Sequence, residues 1–586
     1  MSFLSDASLV MIPSGYKDGT LYSAKPTNGD GDFTFSRGSN LAATRVNSDG
    51  LIEKGRENLL LQSNQFDTTW SSVKAGVTSG QSGYDGSNDA WKWKCNAESG
   101  FHYTVQSHST NNFICAYSIY AKAGEFDLFR LEQGNNGQGA WFDLSDGTIP
   151  TTSTNTNSKI TSVGNGWYRC EISFVTAATS NFLIGFSETQ TLNYNGDNVS
   201  GGFIQDAQLE LGLVATDYIE TGASTAQAGI LEDMPRLDYS GGATCPSLLL
   251  EPSRTNLHPH SEYLSSWSLT NLTATLGYES PEGVNNAYQL EPTGSGFKYI
   301  SEFISVTAGQ KYTISFFYKN VDHKNIGFYD NNTSGSEISI NVQDNTFTLG
   351  GSVDSGDVVP YGNGWFRAYA TFTAGSSTMS NILIFRSDSN NGSYTATGSS
   401  IYAYGFQVEA GSYPTSYIPT YGASVTRGAE NNTEAVNVTD VPTGYPFAIY
   451  AEPYLTDSVG NGCVAFYNNS NQYEYYAFRI TSQGKFQSLS RPAAVTENSI
   501  LSSSTFSEGF HKVVCLYESD TTMKIYVDGN LEGTKSDCIN NTFNTAFNDY
   551  ILGVFRGIDT NPSSIKQFVV FNNGLTNQEA IDLTTL

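Results

Sequence analysis

The chain has 586 residues, with 30 Lys and Arg against 57 Asp and Glu, a net charge of −27, yet only 15% of its residues are charged. Negative charge on this scale argues against a nucleic-acid partner, because neutralising phosphates takes clustered Lys and Arg. At 38% hydrophobic and 13% aromatic the chain can fill packed cores, and its length calls for several domains rather than one.

The chain opens on Met1-Ser-Phe-Leu-Ser-Asp-Ala-Ser-Leu-Val-Met-Ile-Pro13. It has no basic n-region and only a brief apolar patch, so no secretory signal is expected. No window approaches the roughly eighteen apolar residues of a membrane helix, so no membrane insertion is expected. The seven cysteines are scattered, odd in number and without a C-x-x-C pair, a pattern of thiols made in a reducing compartment. Residues 1–57 are turn-rich and too short for a core, and read as a leader or anchoring segment that packs on the first domain or on another chain. Within it, Asn28-Gly-Asp30-Gly-Asp32 sets oxygens at alternate positions of a turn. That spacing makes Asp30 and Asp32 candidate calcium ligands, and no other cofactor is expected. The bidentate Glu of an EF-hand loop is missing, and a solvated turn is the plainer reading.

An internal repeat organises the middle of the chain. Arg56-Glu-Asn58 with Ser63 and Trp70 recurs as Arg254-Thr-Asn256 with Ser261 and Trp267. Gly164-Asn-Gly-Trp167-Tyr-Arg169 recurs as Gly362-Asn-Gly-Trp365-Phe-Arg367, and Gln208-Leu-Glu210 as Gln407-Val-Glu409. Two copies of one domain therefore occupy 58–225 and 256–427, joined by a linker at 226–255. Cys170-Glu-Ile-Ser-Phe174 and Ala368-Tyr-Ala-Thr-Phe372 alternate with period two, and Phe113–Tyr120 and Tyr312–Tyr318 are β-branched and aromatic runs of strand length. Gly-Asn-Gly before each repeated Trp predicts a tight turn. Each copy reads as an antiparallel β-sandwich of the jelly-roll type.

Residues 428–586 carry further strands, with a hairpin signal at Asp528-Gly529-Asn530. Thr576-Asn-Gln-Glu579 has capping-box spacing ahead of a short closing helix. The fold class is all-β: two tandem antiparallel sandwiches and a third sandwich of another kind.

Sugar recognition needs aromatic faces and amide or carboxylate side chains. Trp70, Trp267, Trp167 and Trp365 repeat with the fold motif and read as core or hinge residues. Trp91, Trp93 and Trp141 have no Trp counterpart in the second copy. They read as outward aromatics and the glycan-binding candidates, with interchain packing as the alternative. His258 and His260 could hold a metal only with a third ligand from elsewhere. No H-E-x-x-H or G-x-S-x-G motif is present and no carboxylate pair stands out, so no catalytic residue is assigned and a non-enzyme is expected.

Three blocks resemble a known group. Phe33-Thr-Phe-Ser-Arg-Gly-Ser39 through Arg56-Glu-Asn-Leu59 resembles the leader of tailed-bacteriophage fibre and virion-surface proteins. Pro235-Arg-Leu-Asp-Tyr239 with Cys245-Pro-Ser-Leu-Leu-Leu-Glu-Pro252, and Thr415-Ser-Tyr-Ile-Pro-Thr420 with Arg427, are similar to further blocks of those proteins. The two repeats resemble carbohydrate-binding modules. The tail, with Tyr526-Val-Asp-Gly529 and Phe568-Val-Val-Phe-Asn-Asn-Gly-Leu575, resembles a laminin-G or concanavalin A-like lectin domain. The first copy departs by reading Tyr218-Ile-Glu-Thr221, with no prompt Arg, which removes any contact that depends on Pro419 or Arg427.

The resemblance implies a virion structural protein: a surface fibre, spike or decoration protein of head or tail, made and assembled in the bacterial cytoplasm. Its implied partners are other virion proteins of capsid or tail and a host-surface glycan, and a homo-oligomer, a trimer by analogy with phage fibres. A purely structural capsid or tail component and a host-polysaccharide depolymerase stand as alternatives.

Overall fold

The computed structural model describes residues 3–585, apart from 18, 40, 110–111, 136, 177–179, 397, 431–432, 456–462, 469, 472, 494–495 and 554–562. The regular structure of the described residues is almost wholly antiparallel strand, with a nine-residue helix at Asn577–Thr585. Among them no helix is long and apolar enough to cross a membrane.

The first repeat builds two six-stranded sheets. One runs Asn157–Gly164, Trp167–Val175, Ile114–Ala123, Gly201–Leu211, Ala90–Cys95 and Ala75–Gln81 in spatial order. The other runs Thr148–Thr152, Gln138–Asp143, Leu128–Gln133, Ser180–Ser187, Tyr103–His108 and Ser71–Val73. Alternation puts Cys170, Ile172 and Phe174 of one sheet and Phe129, Leu131 and Phe182 of the other into a shared core. The second repeat reproduces both strand orders, and its core forms around Phe316, Phe328 and Phe406. The repeated turn is left-handed throughout: Gly164, Asn165 and Gly166 have φ of 94°, 54° and 78°, and Gly362, Asn363 and Gly364 have 86°, 49° and 78°. Only Gly and Asn take such values readily, which explains the repeated tripeptide.

The motifs shared by the two copies are internal latches. Asn58 Nδ2 donates to the carbonyls of Ala207 and Ile219, and Asn256 Nδ2 to those of Phe406 and Ile418. Glu210 accepts from Thr216 and Glu409 from Thr415, through backbone N–H and hydroxyl in both cases. Trp70, Trp167, Trp267 and Trp365 are buried. Each sandwich closes where its ends pair, Arg56–Asn58 with Ala226–Ala228 and Arg254–Asn256 with Val425–Arg427. Arg427 thus has Ala228 as its counterpart in the first copy.

The third sandwich is composite. One of its sheets runs Arg236–Asp238, Ser247–Leu250, Ser563–Phe571, Phe447–Leu455, Val513–Tyr517, Met523–Val527 and Asn530–Lys535, with Leu9–Met11 also paired to Ser563–Phe571. The facing sheet begins with Tyr16–Lys17, Thr20–Leu21 and Phe33–Thr34, and continues through Thr433–Ala435 to Asn498–Leu501. Leu9, Met11, Leu21, Phe33, Phe35, Leu237 and Leu248 share one core with Phe447, Phe466 and Phe568. The segment 1–57, expected to lean on the first sandwich or on another chain, instead places strands Leu9–Met11, Tyr16–Lys17, Thr20–Leu21 and Phe33–Thr34 in the third. The linker 226–255 likewise supplies two of its strands. Too few apolar residues lie in either segment for a core of its own, so burial is reached only by completing another. The hairpin Thr44–Val46/Ile52–Lys54 instead lies on the second sandwich, where Ile52 packs with Phe317, Trp365 and Tyr417.

A buried ion network holds these segments together. Arg236 pairs with Glu430 and with Glu251 at 2.8 Å, Arg37 with Glu430 at 2.8 Å, and Arg427 with Glu251 at 3.0 Å. Burial works to raise the Glu251 carboxyl, but Arg427 and Arg236 overcome it and hold it at about 2. The Asp528-Gly529 hairpin and the Thr576/Glu579 capping box form where the sequence places them.

Candidate functional site

The glycan candidates do not present their rings. Trp91 and Trp93 lie on the core side of Ala90–Cys95, 7% and 0% exposed, packed with Phe66 and Phe186. Their indole N–H groups are spent inside, on the Asn64 carbonyl at 2.9 Å and the Thr104 hydroxyl at 3.0 Å. Lys92 and Lys94 take the outer side, so the expected outward placement of the two Trp is overturned. Their counterparts in the second copy are the buried Tyr288 and Leu290. Trp141 sits across its strand from Phe142, but the Arg130 guanidinium lies 5.6 Å from its ring centroid and leaves it 6% exposed.

The Asp30 and Asp32 carboxylates do not converge. Asp32 accepts from the Ser23 N–H at 2.8 Å, whereas Asp30 accepts from Asn28 Nδ2 at 2.7 Å and from the Thr439 hydroxyl. Glu302 does reach His258, at 3.0 Å from Nδ1, but the other ring nitrogen meets Asn381 and the ring stacks on Trp267. Burial lowers both His258 and His260. Among the described residues no group of three or more His, Cys, Asp or Glu is arranged to hold a metal ion.

A different aromatic pair is presented to solvent. Ser99-Gly-Phe101 pairs with Asn193-Tyr-Asn195, and Ser295-Gly-Phe297 pairs with Ser393-Tyr-Thr395. Phe101 and Phe297 are each 57% exposed, at the same place in the two copies. Alternation puts Ser99, Phe101, Asn193 and Asn195 on one outer face, and Ser295, Phe297, Ser393 and Thr395 on the other. Each ledge therefore offers one aromatic ring beside three hydroxyl or amide groups.

The inner side of each ledge is buttressed by the central Tyr. Tyr194 stacks on buried His102 at 4.3 Å and donates its hydroxyl to the Phe186 carbonyl at 2.9 Å. Tyr394 lies over Lys298, whose Nζ is 4.4 Å from the ring centroid and donates to the carbonyls of Gly296 at 2.9 Å and Tyr394 at 2.5 Å. Burial lowers the Lys298 ammonium below the ordinary lysine value. Gly100 and Gly296, facing the tyrosines, have φ of 135° and 107°, which a side chain would strain. The inner contacts fix the backbone that carries each exposed Phe, so less of the ledge is left to be ordered when a ligand stacks on the ring. The signal in the sequence was Ser-Gly-Phe, repeated 196 residues apart.

Residues 427–580 match the model of the concanavalin A-like lectin/glucanases superfamily. Similar solved structures include the Ruminococcus gnavus IT-sialidase CBM40 bound to alpha2,3 sialyllactose, at 15% identity and TM-score 0.22, covering 25% of this chain and 84% of that one. The botulinum neurotoxin serotype D binding domain is similar at 12% identity and TM-score 0.20, covering 24% of this chain and 36% of that one. The leech intramolecular trans-sialidase is similar at 15% identity and TM-score 0.21, with 25% and 24% covered. At these values the structural likeness carries no functional argument. No curated protein matches the chain.

Proposed function

We propose that the protein is a multivalent, non-catalytic glycan-binding protein of a bacteriophage virion surface, a fibre, spike or decoration protein that holds host-surface sugars for adsorption. The observation that carries the reading is the exposed Phe ledge built twice, at Phe101 and at Phe297, each flanked by hydroxyl and amide side chains. Aromatic faces stack on the apolar side of a pyranose while the flanking groups meet its hydroxyls. The superfamily match over 427–580 supports a third sugar-binding unit. The blocks at 33–59, 235–257 and 407–427 support the virion assignment, and a homotrimer among capsid or tail proteins belongs to the same reading. Binding rather than cleavage is favoured at the ledges, because glycoside hydrolysis needs two opposed carboxyl groups and the ledge faces carry none. Two weak sites on one chain, multiplied by oligomerisation, gain avidity without a tight single site.

The test is a glycan array with the wild-type chain, Phe101→Ala, Phe297→Ala and the double variant. Each single variant is expected to lose apparent affinity and the double variant to lose binding, with unchanged unfolding temperatures. Wild-type binding that survives the double substitution would refute the ledges as sites. Absence of binding together with tight association to capsids would leave a purely structural component.

A further inference from the structure

The first and second sandwiches meet along a cleft of about 660 Å³, a size usual for ligand sites and at a junction between domains, where such sites concentrate. One wall is the outer face of the sheet that carries Asn157–Gly164 and Trp167–Val175. The other belongs to the second sandwich, where Leu276 and Val284 are apolar and Asn285 is polar, and Val214 of the connecting segment lines it too. Packing holds the walls in place, because Ile114 and Leu213 of the first sandwich are buried in the core cluster of the second.

Glu171 stands on the first wall with its hydrogen bonds unmade. Alternation sends Cys170, Ile172 and Phe174 into the core and Glu171 and Ser173 to the cleft. The Glu171 side chain is only 9% exposed, yet among the described residues no donor comes within hydrogen-bond distance of its carboxylate. Lys159, opposite on the neighbouring strand, stays 3.7 Å away with its own side chain exposed. On the same wall the buried Thr156 hydroxyl also lacks a partner among the described residues. Buried polar groups in folded proteins are nearly always hydrogen-bonded, so two orphans on one cleft call for a group that supplies the missing bonds.

The sandwich fold does not require this pair. Where the first copy sets Lys159 opposite Glu171, the second sets Asp357 opposite Tyr369. The side chains that both copies keep are latches within each sandwich, and this pair is not among them.

The chemistry of the cleft narrows its ligand. A carboxylate only accepts, so the ligand must donate to Glu171. Lys159 offsets the negative charge, so a cation would meet the ammonium and an anion the carboxylate. A hydroxyl answers both, donating to Glu171 while accepting from Lys159, and the 3.7 Å gap between them lets one oxygen reach each. Asn157 and Asn285 present amides to further hydroxyls, and Leu276, Val284 and Val214 give aliphatic surface to C–H groups.

We propose that this cleft binds a neutral sugar ring, with Glu171 and Lys159 sharing one of its hydroxyl groups. The site is separate from the Phe ledges, and the inference does not rest on them. A few hydrogen bonds to one ring sustain a dissociation constant on the order of 1 mM. The cleft occurs once in the chain and lacks the gain that the duplicated ledges have, so free sugar in solution reads it and an array does not.

The test is calorimetric titration of the full chain with free glucose, galactose, mannose and rhamnose, with glucosamine and galacturonate as charged counterparts. Saturable binding is expected for at least one neutral sugar, with both charged rings about tenfold weaker or more. Glu171→Gln should weaken it about tenfold or more, as loss of a charge-assisted hydrogen bond does. Asn285→Trp, at an exposed turn residue outside both cores, should block the cleft, and it carries the test if Glu171→Gln unfolds. No saturable binding of any neutral sugar, or charged rings held as tightly as neutral ones, would overturn the proposal. So would sugar binding that both variants leave unchanged, which would return the sugar to the ledges. The Phe variants on the array read the ledges and these variants read the cleft, so either reading can fail without the other.

Discussion

Asp206→Asn should stabilise the first sandwich, by an amount that depends on pH. Asp206 sits at a bulge with its carboxylate nearly buried, and no cation reaches it among the described residues. Burial first, and the neighbouring Asp89 and Asp85 next, push its carboxyl from the ordinary 3.8 up to about 7. A carboxyl raised on folding stabilises the fold below its unfolded value, and that contribution is lost as pH climbs through the folded value. At about 1.4 kcal/mol per pH unit the gap converts to about 4 kcal/mol of strain at pH 8, falling below about 1 kcal/mol at pH 4. Asparagine keeps the shape, tolerates φ of 54° and can still accept the Tyr84 hydroxyl, so it removes the charge and little else. Hydrogen exchange of the Gly201–Leu211 strand in wild-type and variant chains, compared at each pH, reads the local opening free energy. A variant advantage that grows from pH 5 to pH 8 is expected. A pH-independent difference, or a variant less stable at pH 8, would refute the argument.

Lys54→Met should destabilise the second sandwich by about 3–5 kcal/mol, because it strands Glu262 and Glu282 without their cation. Burial already raises the Glu262 carboxyl, so the loss, read as denaturation midpoint, should shrink toward pH 4 as that group takes up a proton. Glu430→Gln leaves Arg37 and Arg236 underpaired and should cost about 3 kcal/mol or more. Because Arg37 belongs to the leader, limited proteolysis should then cut between residues 12 and 43 before the rest of the chain. Trp93→Ala should cost about 3–5 kcal/mol as a core cavity. Phe101→Ala and Phe297→Ala should leave calorimetric unfolding temperatures unchanged, because these rings pack on little.

The repeat was legible because each repeated block performs one local task. Asn58 and Asn256 bridge two carbonyls, and Gly-Asn-Gly takes a left-handed turn, so their spacing survives divergence elsewhere. The composite third sandwich was not legible. Leu9–Met11, Phe33–Thr34 and Arg236–Asp238 are two or three residues long, too short to show a period. The partner of Leu9 is Val570, at the far end of the chain. Trp91 and Trp93 were misplaced for a definite reason. Alternation told that they share a side but not which side is the core, and their lack of a Trp counterpart only recorded a core exchange with Tyr288 and Leu290. Exposure of Phe101 and Phe297 follows from long-range pairing with Asn193–Asn195 and Ser393–Thr395, which three residues of sequence do not reveal.

The way each sandwich is joined bears on how two weak ledges can act together. Both sandwiches are entered and left through a single antiparallel pair of strands. The second is also fixed at two buried charge clusters, Lys54 with Glu262 and Glu282, and Arg427 with Glu251. A flexible linker would set the effective concentration of the second ledge by chain statistics, at an entropic cost to each joint binding event. Here the leader strand that carries Lys54 runs directly into the first sandwich at Arg56, so one short segment ties the two repeats to each other. The span between ledges is therefore set by packing, and sugars spaced to match it gain while others do not. Loosening the tie at Lys54 should flatten that spacing preference before it weakens either ledge alone, and divalent glycans with graded spacers would read the difference.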